Sequence, residues 1–180
     1  MARAILAPEQ LHKESRALWE AIRGESPLAC ALICGAFLEK ALASLLSSFF
    51  LKGETANKIL DENRGALGDF FKRANAAYCC GLITKRMLQA LLTIGTIRNT
   101  FAHSHTRIDF SDSSLDESFA DFKLPNIPKK IGIGGDPQPL DLHDRRTKFS
   151  ITCLYLFSTI LHTASNIEHV PKIKNVQWPD

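Results

Sequence analysis

Residues 26–51 read SPLACALICGAFLEKALASLLSSFFL, and this stretch is the most apolar in the chain. Its opening serine and proline are the preferred start of a helix, because serine caps the first turn and proline fits the first helical position. The length invites a membrane-spanning interpretation, but Glu39, Lys40 and three serines interrupt it. A helix that is apolar nearly all round is more simply the central helix of a bundle. We therefore predict a buried central helix over residues 28–51 and no membrane span.

Helical spacing of apolar residues continues on both sides of this segment. Leu18 and Ile22 belong to one face of a first helix, which Gly24 ends. Asp69 is expected to cap a later helix and Thr84 another, because short polar side chains accept the free N–H groups of a first turn. Besides the central one, the predicted helices cover about 9–23, 55–62, 67–81, 84–103 and 141–168.

Before the last helix, from about 106 to 139, the helical pattern lapses. Four prolines and the glycine-rich run 132–135 predict a long ordered loop, and loops of this length are often functional. The glycines are not a nucleotide-binding fingerprint, since no strand precedes them and no helix follows directly. No strand pair or internal repeat is evident in the sequence.

These segments predict one all-α domain over residues 1–180, a bundle of five or six helices with a long proline- and glycine-containing loop before the last helix. Its core covers about 9–168 and its tail 169–180. With 45% hydrophobic and 23% charged residues, the composition excludes a disordered or collagen-like chain.

Charge is mildly positive, +3 in total, and uneven along the chain. That balance permits contact with a polyanion but does not demand it. The basic residues of the middle segment are Arg64, Lys72, Arg73, Lys85 and Arg86, and an acidic stretch follows with Asp109, Asp112, Asp116, Glu117 and Asp121. Such a run is either a solvated face or a strip that binds RNA or a partner. On the second interpretation, Arg73, Lys85 and Arg86 are the candidate RNA contacts.

Five cysteines lie in apolar helical surroundings, and the N-terminus lacks the long apolar stretch that secretion needs. We expect a cytoplasmic protein with reduced, buried thiols. Cys30 and Cys34 are spaced as i, i+4, but no second ligand pair accompanies them, so they are expected to be structural. No metal and no cofactor is predicted.

One constellation combines groups that can do chemistry: Arg98-Asn99-Thr100-Phe101-Ala102-His103, at the end of an apolar helix. A histidine titrates near neutral pH, and a guanidinium suits the charge on phosphate oxygens. On an ideal helix Asn99 and His103 share a face, whereas Arg98 and His103 are about 140° apart. For both to meet one phosphate, the helix must end near Ala102 or a second subunit must complete the site. Alternatively, the residues stabilise the helix end, with Arg98 paired to Glu39.

This R-N-x-x-A-H element resembles the signature of HEPN ribonucleases, which act on RNA without a metal. The resemblance implies that His103 is general acid or base for attack by the ribose 2′-hydroxyl, that Arg98 neutralises the phosphate and that Asn99 orients the pair. It also implies a homodimer in which two motifs face each other. Glu39 either supports Arg98 or is a buried acid paired with another nearby base. His105 either assists His103 or lies in a solvated loop.

A wider resemblance, over roughly residues 28–165, is to the MtlR (mannitol operon repressor) family. It rests on the sequence GALGDFF at 65–71, on YCCGLI at 78–83, on the R-x-x-x-x-H element and on Phe110-Ser111-Asp112. The resemblance implies an MtlR-like branch of the HEPN-like folds and a regulatory role. No helix-turn-helix, finger or basic recognition helix is evident, so we do not expect direct sequence-specific DNA binding.

Two functions from different classes follow. One is an RNA-binding protein or metal-independent endoribonuclease, a toxin or defence component, with Arg98, Asn99 and His103 at its centre; the sequence narrowly favours it. The other is a non-catalytic MtlR-like transcriptional regulator that acts through contact with another protein. In that case the same three residues serve the structure.

Overall fold

A computed structural model describes residues 8–120, 122, 130–131, 138–139 and 141–167. The α-helices are α1 (Pro8–Ile22), α2 (Pro27–Phe49), α3 (Glu54–Ile59), α4 (Phe70–Cys79), α5 (Lys85–His103), α6 (Asp116–Ala120) and α7 (Arg145–Asn166). A 3-10 turn at Ser113–Leu115 leads into α6. The predicted all-α helical bundle is confirmed.

The fold differs from the prediction between residues 106 and 139. The five-residue helix α6 lies there, which makes seven α-helices in the described part of the chain rather than five or six. Two two-residue strands, β1 (Lys130–Ile131) and β2 (Gln138–Pro139), pair antiparallel, although no strand pair was predicted. Elements this short carry no detectable periodicity in sequence. The glycine run 132–135 and the tail from residue 168 lie outside the described residues.

Helix starts follow the predicted capping residues. Ser26 Oγ accepts from the N–H of Ala29 at 3.2 Å, and Asp69 Oδ1 accepts from that of Lys72 at 3.0 Å. Thr84 caps α5 in the same way. These bonds satisfy N–H groups that have no partner within their own helix.

The central helix α2 is packed by α1, α4, α5 and α7, as predicted. By length and composition α2 could cross a membrane, but the core helix of a soluble protein passes the same test. Leu38, Leu42 and Leu45 have no exposed surface. Burying each contributes roughly 1.5–3 kcal/mol, so α2 organises the core.

The cysteines only partly match the prediction of buried thiols. Cys30, Cys34 and Cys153 are buried and free, whereas Cys79 is exposed and Cys80 is half-buried. The prediction is wrong for Cys79, because the last residue of α4 faces solvent even though its sequence neighbours are apolar.

Side-chain contacts show which ends of the helices lie together around α2. Cys30 Sγ lies 3.5 Å from Ser150 Oγ, so α2 and α7 begin at the same end of the bundle. The Phe110 ring is 5.2 Å from that of Phe149, near the start of α7, and 4.8 Å from that of Phe101, near the end of α5. The end of α5 therefore lies beside the beginning of α2, which places the Arg98–His103 motif against the first half of the central helix.

Candidate functional site

Arg98 lies across α2 and is held on two sides. Its Nη1 donates to Asn99 Oδ1 at 2.9 Å, and its Nη2 is 3.6 Å from Glu39 Oε2. The stem of the side chain packs on Gly35, where an added Cβ would come within 3.1 Å of Arg98 Cγ and Nε. The pairing of Arg98 with Glu39, one of the two roles considered from sequence, is confirmed.

Glu39 is shared with a second arginine. Arg73 Nη1 donates to Glu39 Oε1 at 3.4 Å, and the Arg73 side chain has no exposed surface. Its other donors bond to the carbonyls of Leu67, at 2.8 Å, and Leu60, at 2.9 Å. One carboxylate thus faces two guanidinium groups, and the cluster carries one excess positive charge.

Asn99 and His103 occupy the open side of α5. Asn99 is half-buried, and His103 is exposed at the last helical residue. Within the described part of the chain, His103 forms no hydrogen bond or ion pair. Because α5 stays helical through His103, Arg98 and His103 diverge by about 140° in a single chain. One copy therefore brings Arg98 and Asn99 together but not Arg98 and His103.

The structure separates the other predicted site residues. His105 lies exposed in the loop after α5. Lys85 and Arg86 are exposed at the start of α5. Lys85 precedes Arg98 by thirteen residues, which is roughly 20 Å along the helix. Arg73, proposed from sequence as an RNA contact, lies in the interior, and its guanidinium is engaged by protein groups.

Sequence reasoning missed two residues beside the motif. Leu28 and Leu32 of α2 are 44% and 40% exposed. They lie one helical turn apart, and Ala102 of α5 is exposed as well. Gly35 was the sequence signal that could have located this region, because a glycine inside an apolar helix usually marks a close approach by another group, here Arg98.

The buried thiols form a separate cluster between α2 and α7. Hydrogen bonding to Cys34 and burial raise the pKa of Cys30, and hydrogen bonding to Cys153 raises that of Cys34. Both therefore stay protonated at neutral pH. In the described ranges no group of three His, Cys, Asp or Glu side chains could hold a metal ion.

Comparison with known proteins adds one finding. No protein-family model and no curated protein matches the chain. Among solved structures, the X-ray structure of the MtlR-HPr complex from Escherichia coli is similar, with a TM-score of 0.56 and 20% sequence identity. The match covers 84% of this chain and 98% of the other. This chain has an MtlR-like fold.

The MtlR-like fold agrees with the resemblance carried by residues 65–71 and 78–83. In the structure these segments include the Asp69 cap and the two ends of α4, and Arg73 reaches Glu39 from the part of α4 between them. At 20% identity the likeness concerns the fold alone. The grouping with HEPN-like proteins stays a prediction.

Proposed function

We propose that this protein is an MtlR-like regulator that acts by binding another protein. The observation that carries the proposal is the fold, since 84% of this chain matches a chain from the structure of the MtlR-HPr complex. The exposed pair Leu28 and Leu32 beside Arg98 gives such contact a suitable surface, since apolar side chains and arginine are typical of interface centres. Direct reading of DNA is not part of the proposal.

The test is a calorimetric titration of purified full-length protein with purified HPr from the same organism. We expect a saturable complex with a dissociation constant of roughly micromolar or tighter. An unrelated globular protein of similar size and charge serves as the control titrant. The proposal would be contradicted if the titration released no heat of binding and if the two proteins, at about 100 μM each, eluted separately in gel filtration.

A second candidate is a cytoplasmic, dimeric, metal-independent endoribonuclease. The observation that favours it is the pairing of Arg98 with Asn99 at 2.9 Å on a helix that leaves His103 exposed. His103 would take the proton of a ribose 2′-hydroxyl as its oxygen attacks the neighbouring phosphorus. The bond from phosphorus to the 5′-oxygen of the next nucleotide would break, leaving a 2′,3′-cyclic phosphate and a 5′-hydroxyl that takes its proton from water. Arg98 would neutralise the phosphate oxygens. The 140° divergence makes a second subunit necessary for this chemistry.

The test for this candidate is incubation of total RNA and tRNA with the protein in excess EDTA. Wild type should cut, a folded His103→Ala variant should not, and His162→Ala should cut like wild type. His162 is the matched control because it is an exposed histidine near the other end of the bundle, on α7. If wild type leaves every RNA class intact, the motif has no nuclease role.

A further inference from the structure

Four residues of α2 share one face near the end of α5. At 100° per residue, Leu28, Leu32, Gly35 and Glu39 lie within about 60° of one another. Arg98 covers Gly35 and approaches Glu39, so this face looks toward α5. One turn beyond Arg98, toward the start of α2, α5 presents only the small side chain of Ala102.

Within the described part of the chain, this arrangement leaves the two leucines partly exposed. Where α5 places Arg98 over α2, Gly35 is buried; a turn further on, Leu32 and Leu28 are about two-fifths exposed. We name Leu28, Leu32, Arg98 and Ala102 the α2–α5 face. Single exposed apolar side chains are common, but here two lie one helical turn apart beside an arginine, a residue type enriched at protein interfaces.

Among the residues that the structure describes, the charge on this face is not neutralised. Each of two arginines pairs with one carboxylate oxygen of Glu39, and the fully buried Arg73 has that carboxylate as its counter-ion among the described residues. Arg98 is the more exposed of the two, with 31% of its side chain accessible. The excess positive charge therefore lies at the surface, where a second carboxylate can pair with Arg98.

Other charged groups near this face have both signs. Arg23 and Glu25 are exposed in the turn before α2, and Lys40 is exposed one residue after Glu39. Their charges sum to one further positive unit, which agrees in sign with the Arg73–Glu39–Arg98 cluster. An acidic surface is therefore favoured over a basic one.

The geometry points to the α2–α5 face as the docking site of the protein partner. The partner presents an apolar side chain to Leu28 and Leu32, and next to it an aspartate or glutamate to Arg98. This inference rests on the proposed function and adds the surface and the chemistry that recognises the partner.

The experiment repeats the HPr titration with full-length variants. Leu32→Glu should weaken binding by at least about tenfold, because a carboxylate replaces the apolar contact and repels the acid of the partner. Arg98→Gln should weaken it by about five- to tenfold and flatten its dependence on salt. Circular dichroism and thermal melting of each variant verify the fold; Leu32 is exposed, and glutamine at position 98 keeps a polar side chain beside Glu39.

Leu51→Glu is the matched control. Leu51 is 44% exposed, as Leu28 is, but it follows the other end of α2, roughly 35 Å away along the helix. Its variant should bind within about twofold of wild type. Equal weakening by Leu51→Glu and Leu32→Glu would show a general effect of charge and overturn the assignment.

The remaining outcomes separate this inference from the proposed function. If wild type binds HPr and both Leu32→Glu and Arg98→Gln bind equally well, the partner docks elsewhere and only the inference fails. If wild type does not bind HPr, both fail. If sedimentation velocity shows a wild-type dimer that Leu32→Glu converts to monomer while HPr binding is unchanged, a second copy covers the face and the inference is overturned.

Discussion

Arg73 shows how a single buried charge is stabilised in this protein. Its guanidinium bonds to two backbone carbonyls and to Glu39, and each contact crosses between elements that are separate in sequence. A buried charge needs such partners because desolvation is otherwise very costly. The side chain therefore fixes the segment that joins α3 and α4 onto α2.

The first prediction concerns that residue. Arg73→Met should lower the free energy of unfolding by about 3–5 kcal/mol, because two carbonyls lose their partner and Glu39 keeps only its pairing with Arg98. Urea denaturation followed by circular dichroism measures it. Lys72→Met is the control: Lys72 is adjacent and exposed, its bridge to Asp69 is at the surface, and a loss of about 1 kcal/mol or less is expected. Similar losses for both variants would contradict the role given to Arg73.

Gly35 gives a prediction that separates stability from binding. Gly35→Ala adds a Cβ within 3.1 Å of two Arg98 atoms, so the Arg98 side chain must shift. Alanine also favours helix by about 1 kcal/mol over glycine, which offsets the crowding. We expect unfolding free energy within about 1 kcal/mol of wild type but weaker binding of HPr, measured on the same preparation.

Gly53→Ala is the matched substitution for this test, because an added Cβ there has no heavy atom within 4 Å. It should leave HPr binding unchanged. A Gly35→Ala protein that binds as tightly as wild type would mean that the position of Arg98 is unimportant for the contact.

At the scale of elements, the capping residues were the most predictable feature. Ser26, Asp69 and Thr84 were identified because a short polar side chain before an apolar periodic run has a defined physical role. The last helix was predicted from about residue 141, whereas α7 begins at Arg145 after the capping residue Asp144. Several aspartates and polar residues precede that helix, so the local pattern did not distinguish among them. Helix α6 was not predicted from the sequence, because five residues are too few to show the helical period of 3.6 residues.

The capping carboxylate of α4 predicts a dependence on pH. The Lys72 ammonium and backbone N–H lower the pKa of Asp69 below its ordinary value. Because the folded-state pKa is the lower one, the stabilisation is present above the unfolded value, near 4, and is lost as pH falls through the folded value. Asp69→Asn retains a capping oxygen but loses the charge.

The variant should therefore be less stable than wild type at pH 7, by at most about 1 kcal/mol, and the difference should shrink as pH falls from 7 to 2. Urea denaturation at the two pH values measures the difference. Glu54→Gln, which removes an exposed carboxylate paired with Lys58, is the comparison and should change stability less at pH 7. A constant difference between wild type and Asp69→Asn at both pH values would exclude the charge as its cause.

At the scale of the whole molecule, the sequence predicted the helices but not how they meet. Because α2 is apolar nearly all round, its sequence does not tell which neighbour covers which side. The antiparallel placement of α5 on α2, which brings Arg98 to Gly35 and Glu39, follows from the contact of Phe101 with Phe110 and of Phe110 with Phe149. Pairing of Glu39 with Arg98 was one alternative in the sequence, but Arg73 as the second partner was not foreseen. A buried arginine and an exposed one look alike in sequence.

The last prediction tests whether two copies build a nuclease site. If Arg98 of one subunit works with His103 of its partner, Arg98→Ala and His103→Ala are each inactive alone, but a heterodimer retains one intact pair. In a 1:1 mixture with free exchange, half the dimers are heterodimers with one of two sites intact. RNA cleavage in EDTA should then recover to about a quarter of wild type. A site within one chain predicts no recovery, and cleavage by either variant alone would remove its residue from the chemistry.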